Sequence, residues 1–258
     1  NDNRNFKKNF RISAAFLVFY IYTESMMSWD WIMSVDPHWF STLFGWYVFA
    51  SMFVSGITVI ALITIYLKSK GLMEFVNDSH LHDLAKFMFA ISVFWTYLWF
   101  SQFMLIWYAN LPEETGWFSH RAVHGWGAIG TVLIIGHFLF PFVFLLSRNV
   151  KRHKLGLPIG AIAMLLVHCL DMQFLILPSG LHGAEAHGGD GGALAAVADG
   201  DHSNGFGAYL HTIDWADYGC FIGLLMVFAG LTLMNVRRNN LIPLRDQRLS
   251  EPINFENF

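Results

Sequence analysis

The chain has 258 residues, 55% of them hydrophobic and 17% aromatic but only 14% charged, well below the roughly 25% charged of an ordinary soluble domain. A net charge of −3 points to neither a nucleic-acid nor a polyanionic partner, and two cysteines are too few for a disulfide scaffold. Composition leaves an integral membrane protein, because the apolar residues gather into blocks of about 20 or more, enough to cross ~30 Å of hydrocarbon at ~1.5 Å per residue.

Residues 1–11 are polar and basic, with neither an initiator Met nor an apolar signal-peptide core, so a preceding N-terminal part is expected and this stretch reads as a cytoplasmic segment. Six transmembrane helices follow: Ile12 to Met33, Phe40 to Leu67, Leu81 to Tyr108, Val123 to Leu146, Leu157 to Leu177 and Tyr209 to Val236. The expected fold is therefore all-α, with five spans in residues 12–177, a sixth in 209–236, and a tail over 237–258. The second span carries Gly45, Ser51, Ser55 and Gly56, and the sixth Gly219, Gly223 and Gly230, small residues that let membrane helices approach closely. Trp29, Trp31, Trp39, Trp46, Trp107, Tyr108, Trp117, Trp126 and Trp215 crowd the span ends, where amphipathic rings prefer the headgroup level. Cys169 and Cys220 read as small buried hydrophobes within apolar blocks. The connection 178–208 is rich in Gly, His and Asp, and reads as a solvated linker or a weak divalent-metal site.

Lysine and arginine are retained on the cytoplasmic side, so their positions orient the spans. All of the 16 basic residues except Arg121 fall before the first span, around the second–third connection (Lys68, Lys70 and Lys86), in the fourth–fifth connection or after the sixth span. The alternate connections, Ser34 to Trp39, Ala109 to Ala122 and Pro178 to Ala208, carry Asp36, Glu113, Glu114, Glu185, Asp190, Asp199 and Asp201 and are expected to face outward. Both ends of the chain would then be cytoplasmic.

Ionisable groups at membrane depth are functional candidates by default. Glu24 and Asp30 lie toward the outer end of the first span, and His137 near the centre of the fourth. His168 and Asp171 stand three residues apart near the centre of the fifth, on one helical face. The third span offers Asp83 and Lys86 near its inner end, Tyr97 in its middle, and Ser101 with Gln102 further out. Carboxylates beside imidazoles suit a proton relay, since each group accepts and releases a proton. The expected path takes Asp83 and Lys86 as the inner mouth, Tyr97, His137, His168 and Asp171 as the middle, and Glu24 with Asp30 as the outer exit. The other readings of the same residues are interhelical hydrogen-bond glue, a haem held between two histidines, a transporter cavity, and a purely structural membrane subunit. No phosphate-binding loop is present, and the residues indicate neither a catalytic group nor a metal centre.

Two stretches carry a family resemblance: ESMMSWDWIMSVDPHWFSTLFGWYVFASMFVSGI (Glu24 to Ile57) and HDLAKFMFAISVFWTYLWFSQFMLIWYANLPEET (His82 to Thr115). They resemble the ActF-type subunit of alternative complex III, within the polysulfide-reductase (NrfD-like) family. The resemblance implies a ten-helix subunit with two four-helix bundles in the bacterial inner membrane, of which this chain corresponds to the last six helices. It implies a place in a respiratory quinol:cytochrome c, or high-potential iron–sulfur protein, oxidoreductase. The implied partners are an iron–sulfur subunit, multihaem cytochrome c subunits and a paralogous NrfD-like subunit that holds the quinol site. Haem c and iron–sulfur clusters would sit in those partners, leaving this subunit to conduct protons with no cofactor of its own and menaquinol or quinone as its one candidate ligand.

Overall fold

The computed structural model describes residues 2–122, 126–152, 155–186, 215–241 and 253–255, and among these every regular element is helical. In chain order they are α1 (Asp2–Trp31), a 3-10 turn (Met33–Val35), α2 (Thr42–Ser69), α3 (Asp78–Ala109), α4 (Pro112–Ala122), α5 (Trp126–Ile134), a π-helical turn (Ile135–Leu139), α6 (Phe140–Leu146), α7 (Arg148–Arg152), α8 (Gly156–Ala186) and α9 (Trp215–Arg238). Five stretches are long and apolar enough to cross a bilayer: α2, α3, the α5–π–α6 run Trp126–Leu146, the Gly156–Ser179 part of α8, and α9. The chain is thus an all-α, multi-pass membrane protein, with its backbone polar groups satisfied inside helices as hydrocarbon demands. The expectation of six spans is met five times by this measure. With 30 residues α1 has the length, but Thr23, Glu24, Ser25, Ser28 and Asp30 dilute the second half of its apolar stretch.

Packing centres on a four-helix bundle. α2 lies against α3 and α8, and α5–π–α6 closes the ring against those same two helices, while α1 lines the outer side of α2. The α1–α2 approach depends on Gly45, where an added Cβ would stand 3.0 Å from the Ser25 Cβ and 3.2 Å from the Trp29 Nε1. α9 buries none of its residues.

Two apolar clusters divide the bundle along its length. One, at the α4 end, joins Trp39, Phe44, Val48, Trp95, Leu98 and Trp117; the other, at the α2–α3 connection, joins Val54, Ala61, Ala85, Met88, Leu145 and Met164. Between them each helix of the bundle contributes polar groups at mid-length: Ser51, Ser92, His137, and His168 with Asp171. Hydrophobic burial drives no helix association inside lipid, so such a buried polar layer binds the helices through hydrogen bonds.

Local signals set the helix ends. Asn77 caps α3 through a reciprocal exchange with His80, and α3 stops at Asn110 in the left-handed region (φ 49°), a conformation Asn tolerates, two residues before Pro112 opens α4. The expected outward loop Ala109 to Ala122 is therefore largely helical, with Glu113 and Glu114 favourably placed in the first turn of α4. The fifth span does not end at Leu177: α8 runs through Pro178 to Ala186, so the first nine residues of the expected 178–208 loop are helical. Its remainder, together with Val123, Lys154, the stretch 209–214 and Arg245 and Arg248, lies outside the described residues. Several tryptophans expected in the headgroup belt are core residues instead. Trp39, Trp117 and Trp126 are buried because α4 and the 3-10 turn fold over the bundle end, while Trp31, Trp107 and Trp215 are exposed as a belt requires. Cys220 is exposed on α9 and Cys169 partly buried; neither is in a disulfide.

Candidate proton-relay site

The polar layer condenses around Asp171, which is wholly buried. Tyr47 and Ser51 stand four residues apart on α2 and so share the face turned to α8. The Tyr47 hydroxyl donates to Asp171 Oδ1, and Ser51 Oγ donates to Asp171 Oδ2 at 2.9 Å. Ser51 Oγ also lies 2.8 Å from His168 Nδ1. A serine has one hydroxyl proton, so with that proton on Asp171 the oxygen accepts from His168 Nδ1–H. The result is a continuous wire, His168 to Ser51 to Asp171 to Tyr47, in which the serine both accepts and donates.

His137 completes the group from the opposite wall. Its Nε2 lies 4.0 Å from Asp171 Oδ2, both side chains are fully buried, and neither ring nitrogen has a hydrogen-bond partner. The backbone explains why this ring is held so firmly. His137 sits in the π-helical turn, whose wider winding disturbs the normal carbonyl ladder, and Ser92 Oγ donates to the His137 carbonyl across the α3 interface. Trp95 stacks on the imidazole at 4.1 Å between ring centroids and packs against Tyr47 at 5.3 Å. Gly136 lets the turn touch α8, for a Cβ there would stand 2.5 Å from Val167 Cγ2. A haem between His137 and His168 does not fit this packing, since Trp95 and Asp171 fill the space beside His137 that a macrocycle needs.

Of the sequence-expected path, the fold brings together His137, His168 and Asp171. Glu24 is buried, 7% exposed, beside Tyr20 on α1, and its Oε1 has no partner; no hydrogen bond among the described residues joins it to Asp171. Asp30 is exposed at the end of α1. Asp83 and Lys86 pair at 2.5 Å near the start of α3, one turn before Met88 of the apolar cluster at the α2–α3 connection. Lys86 also lies near Lys151 on α7, whose ammonium is held below the usual lysine range by burial first and by Lys86 second. Tyr97 is 64% exposed and lines an apolar cleft of about 440 Å³ with Trp95, Trp99, Phe100, Ile134 and Phe138. It does not join the wire.

The sequence singles out Ser51 only as a small packing residue and Tyr47 not at all; their i, i+4 spacing is the one hint of a shared face. Beyond Tyr47 lies a cavity of about 10 Å³, lined by Tyr47, Gln102, Trp99 and Trp117 among others. That is about the volume for a single water with two polar neighbours.

Arg121 is the second residue whose role the sequence hid. Pro178 has no N–H, so the Phe174 carbonyl loses its ordinary helical donor. Arg121 Nε supplies one at 3.1 Å, while its NH2 nitrogen donates to the Leu175 carbonyl at 2.9 Å and Ser179 Oγ at 2.8 Å. Its NH1 nitrogen donates to the Trp117 carbonyl at 3.1 Å, and the guanidinium lies 3.6 Å from the Trp117 ring centroid. Burial pulls the guanidinium down to about 9, against the opposing pull of Asp36 and Tyr47, so it stays charged at neutral pH. The clamp fixes α8 about one turn beyond Asp171.

No protein-family model matches the chain, and no curated protein matches it.

Proposed function

We propose that this chain conducts protons through the membrane, as the proton-carrying membrane subunit of a quinol-oxidising electron-transfer complex of the alternative complex III type. The observation that carries the proton reading is the wire His168–Ser51–Asp171–Tyr47, with His137 4.0 Å from the carboxylate. Each member of it exchanges protons, and Asp171 is where they converge: Ser51 and Tyr47 donate to it, His137 stands 4.0 Å from it, and the one-water cavity with Gln102 lies beyond Tyr47. A proton arriving at His168 moves to Ser51 as the serine proton moves to Asp171, so no isolated charge crosses the polar layer between the apolar clusters.

The place in a larger complex is supported by the two resembling segments. Trp39 from the first and Ile106 from the second meet in the buried apolar cluster that closes the α4 end, the end that would meet periplasmic haem subunits. The orientation is supported by the tail: Asn77 Nδ2 donates to the Phe255 carbonyl, and the His80 and Phe255 rings lie 5.6 Å apart. The tail thus touches the α2–α3 connection, as expected if both are cytoplasmic in a bacterial inner membrane. On this reading α1 also crosses the bilayer, with Glu24 on the outer side of the wire, and the quinol is oxidised on the paralogous subunit.

In proteoliposomes containing the purified complex, Asp171→Asn and Ser51→Ala should lower the ratio of protons moved to electrons transferred, and Ser51→Thr, which keeps the hydroxyl, should restore it. Parental ratios in both Asp171→Asn and Ser51→Ala would sink the relay. Purification of the chain without iron–sulfur and multihaem partners would sink its assignment to the complex.

A further inference from the structure

The same layer holds donors arranged for something other than a proton. We propose that His137, His168 and Asp171 form a binding site for one divalent transition-metal ion of the zinc class, which occupies the relay in place of its protons. One ligand atom from each residue lies within 4.8 Å of the others. Zinc takes imidazole nitrogen and carboxylate oxygen at about 2.0–2.2 Å, so small side-chain rotations close the three onto one centre. Two imidazoles and a carboxylate are a donor set that binds zinc with a fourth position left open.

His137 points to a ligand independently of that proximity. It is fully buried and neither of its ring nitrogens meets a partner, so the Nε2 that faces Asp171 across 4.0 Å is unused. Buried polar groups without partners are rare, and an ion satisfies this one more completely than the 4.0 Å approach to Asp171 does. The other two donors already have the supporting contacts that metal ligands need. Ser51 holds His168 through Nδ1, and Tyr47 and Ser51 fix both carboxylate oxygens of Asp171. Trp95 and the Gly136–Val167 contact fix the His137 ring. His168 is the partly exposed member of the three. Metal binding requires the lone pairs that otherwise carry protons, and a bound ion therefore stops the relay. That consequence rests on the proton-relay reading; the binding does not.

The test uses Zn²⁺ alone, added to the chain purified from membranes with whatever subunits accompany it, after chelation. His182, His187, His202 and His211 are first replaced by Gln to remove competing histidines. Metal analysis after gel filtration should find one Zn²⁺ per chain. Asp171→Asn and His137→Gln should each weaken binding at least about 100-fold, and Ser51→Ala by about 10–100-fold. Co²⁺ added to the unsubstituted site should give the visible absorption of tetrahedral coordination, a readout that stands even if a variant fails to fold. No retained zinc, equal retention by His137→Gln, or a purely octahedral Co²⁺ spectrum overturns the site. Zinc that binds as described without slowing proton flux keeps the metal site and removes the relay. Proton flux that depends on Asp171 but is indifferent to zinc, with no zinc bound, does the reverse.

Discussion

Asp171 accepts from two hydroxyls on α2 and faces an imidazole from the opposite helix, so three helices meet on one carboxylate. Truncating any of these partners leaves a buried group unsatisfied, which costs about 1–3 kcal/mol even where no chemistry is at stake. Gly136 is the position where residue size alone decides whether this geometry exists. A Cβ there would meet Val167 Cγ2 at 2.5 Å and Cγ1 at 2.8 Å, and a β-branched valine on a helix cannot turn both methyls away. Gly136→Ala should therefore lower thermal stability in detergent by about 1–3 kcal/mol, and Val167→Ala should recover much of that loss in the double variant. Additive losses in the double-variant cycle would show that the contact is not what demands glycine. At this scale His137, His168 and Asp171 were legible in the sequence, because an ionisable residue inside an apolar block stands out. Tyr47, Ser51 and Ser92 were not, since uncharged hydroxyls in a membrane helix are as often packing residues or partners of their own backbone.

Two helices are irregular where the function is proposed. The π turn widens α5–α6 at His137 and hands a backbone carbonyl to Ser92, while Pro178 strips a donor from α8 and hands its carbonyl to Arg121. Both defects are repaired by a side chain from another helix, so each helix is locked to its neighbour by its own flaw. Arg121→Gln should destabilise the protein by at least about 2 kcal/mol, because charged donors to buried carbonyls are lost. Arg121→Lys should rescue it only partly, as an ammonium cannot reproduce the planar fork. Pro178→Ala returns the Phe174 donor, so the penalty of Arg121→Gln should shrink in that background when measured by thermal unfolding. An undiminished penalty would mean that the proline and the arginine act independently. The sequence placed Pro178 just outside a span and Arg121 in a loop. Proline is a reliable helix terminator only where nothing else satisfies the freed carbonyl, and that depends on a residue 57 positions away.

Across the whole molecule a polar layer is held between two apolar clusters, with the aromatic cap of Trp39, Phe44 and Trp117 at one end and the α2–α3 connection with Phe255 at the other. The distribution of basic residues predicts that the second end is cytoplasmic. In a background with Cys169 and Cys220 replaced by Ser, single cysteines at Lys70 and Asn239 should react with an impermeant maleimide only in inside-out vesicles. A cysteine at Glu113 should react only in right-side-out ones. Labelling of Lys70 and Glu113 from the same side would overturn the orientation.

By itself the sequence determined that this is a helical membrane protein, where most of its spans lie, and that His137, His168 and Asp171 are among the ionisable side chains within them. These follow from block length, hydropathy and the energetic penalty of charge in hydrocarbon, all of which are local. Only the tertiary structure decided which of the intramembrane polar residues meet. Glu24 and Tyr97 look no different from Asp171 in a list of membrane-depth groups, yet one faces α2 from the flanking helix and the other lines an open apolar cleft. Helix rotation and neighbour choice settle that difference, and they depend on close contacts such as Gly45 on Ser25 and Gly136 on Val167 that no single segment encodes.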